Sequence, residues 1–195
     1  MKLTTSRYYL LLLFMTIFVI SISVGVYLSC TAPPYPISKA GNYDVINLPE
    51  KDDTILTIQV EKDNQCQTSG ILLTDKDLFS LPQYEFSTKH QWTTATQHFK
   101  GPLLIDVIKL ACDDAHKVIL TALNDYSITV DLKLIEEFKP IIAHTLDGQR
   151  MSIRDKGPLW VMIDHEKYNV GKQTLDELLI WQLFNIVVLN NDKTL

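Results

Sequence analysis

Apolar and polar residues alternate along "TILTIQVE", Thr54 to Glu61, and the run is rich in β-branched side chains, so it predicts a strand. "GILLT" predicts a second, short strand. In "TDKDLFSLP" the period changes: Thr74 suits an N-cap, Asp77 falls in the first turn and Pro82 ends it, which predicts a short helix. "YEFST" then reads as a strand. "KGPLLIDVIKLACDDA" predicts a helix with Pro102 in its first turn and Leu103, Leu104, Val107, Ile108 and Ala111 in one stripe. "HKVILTAL" and "YSITV" predict strands separated by the turn "NDY", and "DLKLIEEF" a short helix capped by Asp131. "PIIAHTL" and "QRMSI" predict a hairpin about Asp147-Gly148, and "GPLWVMID" a buried strand. "TLDELLIWQ" is expected to be a last short helix and "LFNIVVL" a closing strand. Short strands interleaved with few helices predict an α+β domain on a mixed sheet.

The first residues follow another pattern. No charge interrupts Tyr8 to Cys30, and about 20 such residues in a helix span about 30 Å, the hydrocarbon thickness of a bilayer. A cleaved signal has an apolar run of only about 7–15 residues, so residues 1–30 are expected to be an uncleaved transmembrane anchor rather than a removed signal. Lys2 and Arg7 precede the run, which predicts a cytoplasmic N-terminus and an exported remainder. Cys30 raises lipid attachment as an alternative. Tyr27 and Leu28 do not match the leucine and small residue of a lipoprotein signal, and a cysteine at the outer end of a membrane helix is the plainer reading. Residues 31–52, which begin "TAPPYP", are expected to be a Pro-rich linker, and 53–195 the folded domain.

Charge narrows the partners. The 195 residues carry 18 basic and 23 acidic side chains, a net charge of −5, and beyond Arg7 the only arginines are Arg150 and Arg154. That balance argues against a nucleic-acid surface. Cys66 lies in a polar loop and Cys112 on the expected helix "KLACDD". An exported domain permits a disulfide between them, but the spacing does not settle it. There is no CxxC, no Cys/His spacing for a structural zinc, and no G-x-S-x-G or H-E-x-x-H motif.

The segments "FKGPLLIDVIKLA", "VILTALNDYSITVDLKLIEEF", "IIAHTLDGQRMSIRDKGPLWVMID" and "WQLFNIVVL" occur in an order that resembles the molybdopterin-binding oxidoreductase domain, the sulfite-oxidase-like fold, in a short bacterial version. The likeness runs from about Leu73 to Leu189. It implies a pyranopterin that gives molybdenum two sulfurs, and in active members a protein cysteine that gives a third. By the same resemblance that cysteine follows a strand and precedes a tryptophan, which places it on or beside Thr88, with Trp92 as the tryptophan. The stretch is "EFSTKHQW". Ser87 and Thr88 are neutral hydroxyls and do not replace a soft thiolate.

His90 and Trp92 are therefore taken with Thr88 as pocket candidates, and Arg154 as a candidate phosphate contact, although Arg150 and Arg154 equally suit a charged face. His98 flanks the same region. His144 reads as a hydrogen-bonded strand histidine, Trp160 and Trp181 as core, and "DHEKY", Asp164 to Tyr168, as a solvated turn. No catalytic or metal-ligating residue is assigned. The expectation is a single-pass protein of the bacterial inner membrane whose periplasmic domain binds a small ligand or a membrane-bound signalling or redox partner without a cofactor. The alternative is an active molybdopterin-dependent oxidoreductase.

Overall fold

The alternating run after Thr54 forms β1 (Thr54–Val60), with Leu56, Ile58 and Val60 buried and the residues between them half-buried. A computed structural model describes Val45, Leu48 and residues 52–62, 66–168, 175–176 and 178–189. All lie in the second of the chain's two units, Ile37–Leu195. The expected anchor, Cys30 and most of the linker lie outside the described residues. Among the described residues no helix is long and apolar enough to cross a membrane.

β1 pairs antiparallel with β2 (Gly70–Thr74) and parallel with β12 (Leu183–Leu189). The sheet continues through β5 (Lys117–Ala122) to β6 (Ser127–Asp131) in the order β2-β1-β12-β5-β6. β12 is the central strand. Its Ile186 to Leu189 are buried throughout, as expected of a strand covered on both faces.

Two smaller sheets carry the rest. One has the order β3 (Tyr84–Thr88), β4 (Gln97–Gly101), β8 (Thr145–Leu146), β9 (Gln149–Arg150). The other has the order β11 (Ile180–Trp181), β10 (Trp160–Met162), β7 (Ile141–Ala143). Only His144 separates β7 from β8, so it stands where the chain leaves one sheet for the other.

Helix α1 (Asp75–Ser80) starts as its sequence predicts. The Asp77 amide donates to Thr74 Oγ1 at 3.3 Å and the Thr74 amide donates to Asp77 Oδ2 at 2.8 Å, a reciprocal capping box. Helix α3 (Leu132–Phe138) is capped by Asp131, whose Oδ1 accepts from the Lys133 amide. It buries Leu132, Ile135 and Phe138.

Three expected elements differ. The long helix from Lys100 is only α2 (Leu104–Lys109), and the residues before Pro102 form β4. The reason is Gly101. A Cβ there would lie 1.9 Å from the Ile142 carbonyl oxygen, so glycine lets β7 come against the backbone while Pro102 offers its carbonyl to the Ile142 amide at 2.8 Å. The hairpin about Asp147-Gly148 has two-residue arms, because Met151 turns away and Ile153–Asp155 forms a 3-10 turn. Ile180 and Trp181, expected in a helix, pair as a strand with Val161 and Trp160.

Cys112 accordingly lies beyond the end of α2 rather than on it. It is bonded to Cys66, with the Cα atoms 4.6 Å apart. The bond ties the segment before β2 to the end of α2, and the Gln67 side chain donates to Asp113 beside it.

Candidate functional site

Thr88 ends β3 and pairs with Gln97 of β4. The connection between those strands folds back on itself, with the Thr93 amide donating to the His90 carbonyl at 3.2 Å. The His90 ring takes part: its Nδ1 accepts from the Trp92 amide at 3.3 Å and its Nε2 lies 2.9 Å from Gln97 Oε1. A ring that accepts at Nδ1 and faces an amide oxygen at Nε2 carries its proton on Nε2 and is neutral. Burial pushes the pKa of His90 below its ordinary value, the Gln97 bond opposes this, and nearby Lys156 adds to the lowering. The loop thus holds Trp92 at a fixed angle, with the residue 38% exposed.

Trp160 and Trp181 face one another because they are paired residues on β10 and β11. Their rings stand 6.4 Å apart at 85°, and Trp92 closes the group at 4.9 Å and 82° from Trp181. The Lys156 ammonium lies over all three indoles, 4.7 Å from the Trp160 ring, 5.2 Å from Trp92 and 5.3 Å from Trp181. Burial lowers its pKa. Lys156 and Gln182 both adopt left-handed backbone, φ 66° and 56°, and the Gln182 amide donates to the Lys156 carbonyl at 3.0 Å. Two non-glycine residues in that region cost about 1–3 kcal/mol each, and such strain collects where a fold positions a functional group. Trp160 Nε1 is buried with no hydrogen-bond acceptor among the described residues.

His165 and Asp176 complete the cluster. The His165 side chain is buried, its Nε2 lies 3.1 Å from Asp176 Oδ1, and its amide donates to Thr88 Oγ1 at 3.1 Å. The expected solvated turn at "DHEKY" is therefore half wrong: Glu166 and Lys167 are exposed, but His165 continues inward from the buried strand β10. A cavity of about 380 Å³ opens beside these groups, lined by Gln91, Trp92, Asn124, Tyr126, Asp176 and Trp181. That volume is within the usual range of small-molecule sites.

Of the residues singled out from the sequence, Thr88, His90 and Trp92 come together. Arg154 is exposed on the 3-10 turn, and Lys156, two residues on, is the cation that reaches the indoles. His98 is half exposed on β4, 3.1 Å from Ser87 Oγ. Arg150 is a structural pin whose guanidinium donates to the His144 and Pro158 carbonyls and to Asp75. Trp160 is core as expected, and it is also the floor of the indole group.

No protein-family model matches the chain. No curated protein matches it in sequence. Its fold is similar to that of solved structures that include the sulfane dehydrogenase SoxCD from Paracoccus pantotrophus, with a TM-score of 0.51 and 10% identity. At that identity the likeness shows the fold alone. The match covers 75% of this chain and 40% of that one, so the chain spans less than half of the solved chain. With the mixed sheets, it supports the α+β fold that the interleaved strands and helices predict.

The group that the resemblance implies is molybdopterin, and the residues here do not fit its metal. Thr88 is fully buried, with its hydroxyl oxygen accepting from the His165 amide and facing the Lys89 carbonyl at 3.5 Å. Both described cysteines are consumed by their mutual bond. Among the described residues no group of three or more His, Cys, Asp and Glu side chains is placed to hold a metal ion. Thr88→Val is expected to leave the His165 amide without its acceptor and to destabilise the fold by about 2 kcal/mol, with Thr88→Ser much milder. Urea unfolding of the two variants measures the difference.

Proposed function

We propose that this chain is a ligand-binding module on a molybdopterin-oxidoreductase-like fold, exported and held at the bacterial inner membrane by its N-terminal apolar run. The observation that carries the reading is Thr88. At the place where the resemblance puts a metal thiolate stands a buried hydroxyl already committed to the backbone of a neighbouring loop. The loop that follows Thr88 carries Gln91 and Trp92 into the wall of a cavity that Thr88 and His90 do not line, and its aromatic and polar groups are the usual composition of a small-molecule site. Fold alone does not carry chemistry over from a neighbour. The Cys66–Cys112 bond favours export, since such bonds persist in oxidising compartments.

A small ligand in the cavity is the first partner. A membrane-bound signalling or redox protein that reads the bound state is the second, and it follows from the anchor rather than from the cavity. The fold neighbour is a dehydrogenase, which favours a competing reading, a working molybdopterin-dependent oxidoreductase. The hard, occupied oxygen at Thr88 weighs against it.

The test is a melting-temperature screen of the full chain against chemically diverse small molecules. A binder of the folded state raises the melting temperature in proportion to the logarithm of its excess over Kd. At least one concentration-dependent rise, reduced in Asp176→Asn, is expected. A screen without any such compound removes the binding reading.

A further inference from the structure

We infer that the cavity between Trp92, Tyr126, Asp176 and Trp181 takes a neutral polyhydroxylated ring, that is, a saccharide or a polyol of like shape. This rests on the binding-module reading and names its ligand class.

Charge excludes the alternatives in turn. An anion would meet the Asp176 carboxylate, and no lysine or arginine is among the described lining residues. An organic cation finds indole faces and a carboxylate, which is ordinarily a good site. Here, however, those indoles already hold a cation: Lys156 stands about 5 Å from each ring, at 5.2 Å for Trp92 and 5.3 Å for Trp181. The carboxylate is likewise engaged, at 3.1 Å from the His165 imidazole. Both attractions that would draw an organic cation are thus already satisfied within the protein. A neutral ligand depends on neither.

Shape and polarity choose among neutral ligands. Trp92 and Trp181 stand at 82° with centroids 4.9 Å apart. They form a corner rather than a parallel slot, so a flat heteroaromatic base stacks on one ring only. A pyranose is thicker and has an apolar face of C–H groups, which can lie on one indole, and a rim of hydroxyls. The polar lining matches that rim. Gln91 supplies amide donors and an amide acceptor, Asn124 supplies amide donors while its Oδ1 accepts from the Tyr126 amide at 3.2 Å, Asp176 lines the wall with a carboxylate whose Oδ1 faces His165, and Tyr126 adds a phenol. Gln91 and Asn124 are exposed on turns, so they meet a ligand without a desolvated core to reopen. Aromatic faces with a polar tip suit a ligand that is apolar on one side and wet on the other.

The readout is built in. The chain has three tryptophans, and all three belong to this group, so intrinsic fluorescence reports on the site alone. The full chain is titrated with a panel of neutral mono- and disaccharides covering pyranoses and furanoses, with choline, inorganic phosphate and adenosine as charged and flat comparators. A saturable change in tryptophan emission with at least one saccharide, weakened tenfold or more in Gln91→Ala, is the expected result. Gln91 is exposed, so that variant leaves the core intact, and Trp181→Ala supplies a second, stronger loss. Binding of choline, phosphate or adenosine with no saccharide response overturns the ligand class while leaving a binding module. No response from any panel member, in emission or melting temperature, overturns the ligand class too, and a silent diverse screen beside it removes the module as well.

Discussion

Reducing the folded chain, or replacing Cys112 by serine, is expected to lower the unfolding free energy by about 4 kcal/mol. The bond joins residues 46 apart. Cross-linking that span removes loop-closure entropy from the unfolded chain, and the logarithmic dependence on loop length gives the stated size. On the folded side reduction leaves both sulfurs in place and adds little to the cost. Cys112 is buried in the apolar core beside the end of α2, so serine there adds the cost of a desolvated hydroxyl to the loss of the bond. Urea unfolding with and without reductant measures the difference as a shift in midpoint at nearly constant slope. Equal midpoints would show that the two cysteines are not joined in solution, and would return a thiol to the list of available metal ligands.

Acid is expected to destabilise the fold through one histidine. His144 is buried at the junction of two sheets, stacked on Phe79 at 4.0 Å. Its Nε2 lies 2.7 Å from Gln83 Oε1, and the Gln83 amide nitrogen donates to the Leu78 and Leu81 carbonyls, which fixes the amide's orientation. Nε2 therefore carries the proton and Nδ1 accepts from the Thr145 hydroxyl at 2.8 Å. Burial, aided by the Arg150 guanidinium, lowers the pKa from 6.5 to about 4. As pH falls below 6.5 the unfolded chain takes a proton at this residue while the folded chain does not. The contribution is thus fully present above 6.5 and is lost as pH falls toward 4, by about 3 kcal/mol. Carboxylates add their own acid dependence, so the measurement is a difference. His144→Gln keeps a neutral polar group in place, and its stability from pH 7 to 4 should fall by about 3 kcal/mol less than that of the parent chain. Parallel curves would contradict the burial of a neutral ring.

Much of the fold was legible because its strands are local patterns. β1 shows its alternation, α1 and α3 show their caps, and β12 shows an apolar run broken only by Asn185. β4 was hidden for a tertiary reason: Gln97–Gly101 is short and polar, and its existence depends on Gly101 admitting the backbone of Ile142. Ile180–Trp181 has a helix-like neighbourhood, and pairing with Val161 and Trp160 overrides it. At the site Thr88, His90 and Trp92 were legible because they lie close together where β3 runs into the following loop. Lys156, His165 and Asp176 were missed as members because only the packing of β10 against its neighbours brings them there. β10 is buried on both faces, so no alternation pointed His165 inward. The one signal available was a histidine one residue beyond an unbroken apolar run, after Asp164, where a solvated turn and an inward continuation look alike.

The most direct test of the central claim is the molybdenum and pterin content of the folded chain. The full-length protein is exported from a host that makes molybdopterin, and molybdenum is measured by elemental analysis and released pterin by fluorescence, each per folded chain. Background levels of both are expected, since Thr88 offers only an occupied hydroxyl and the described thiols are joined. Near-stoichiometric molybdenum together with pterin would contradict the claim.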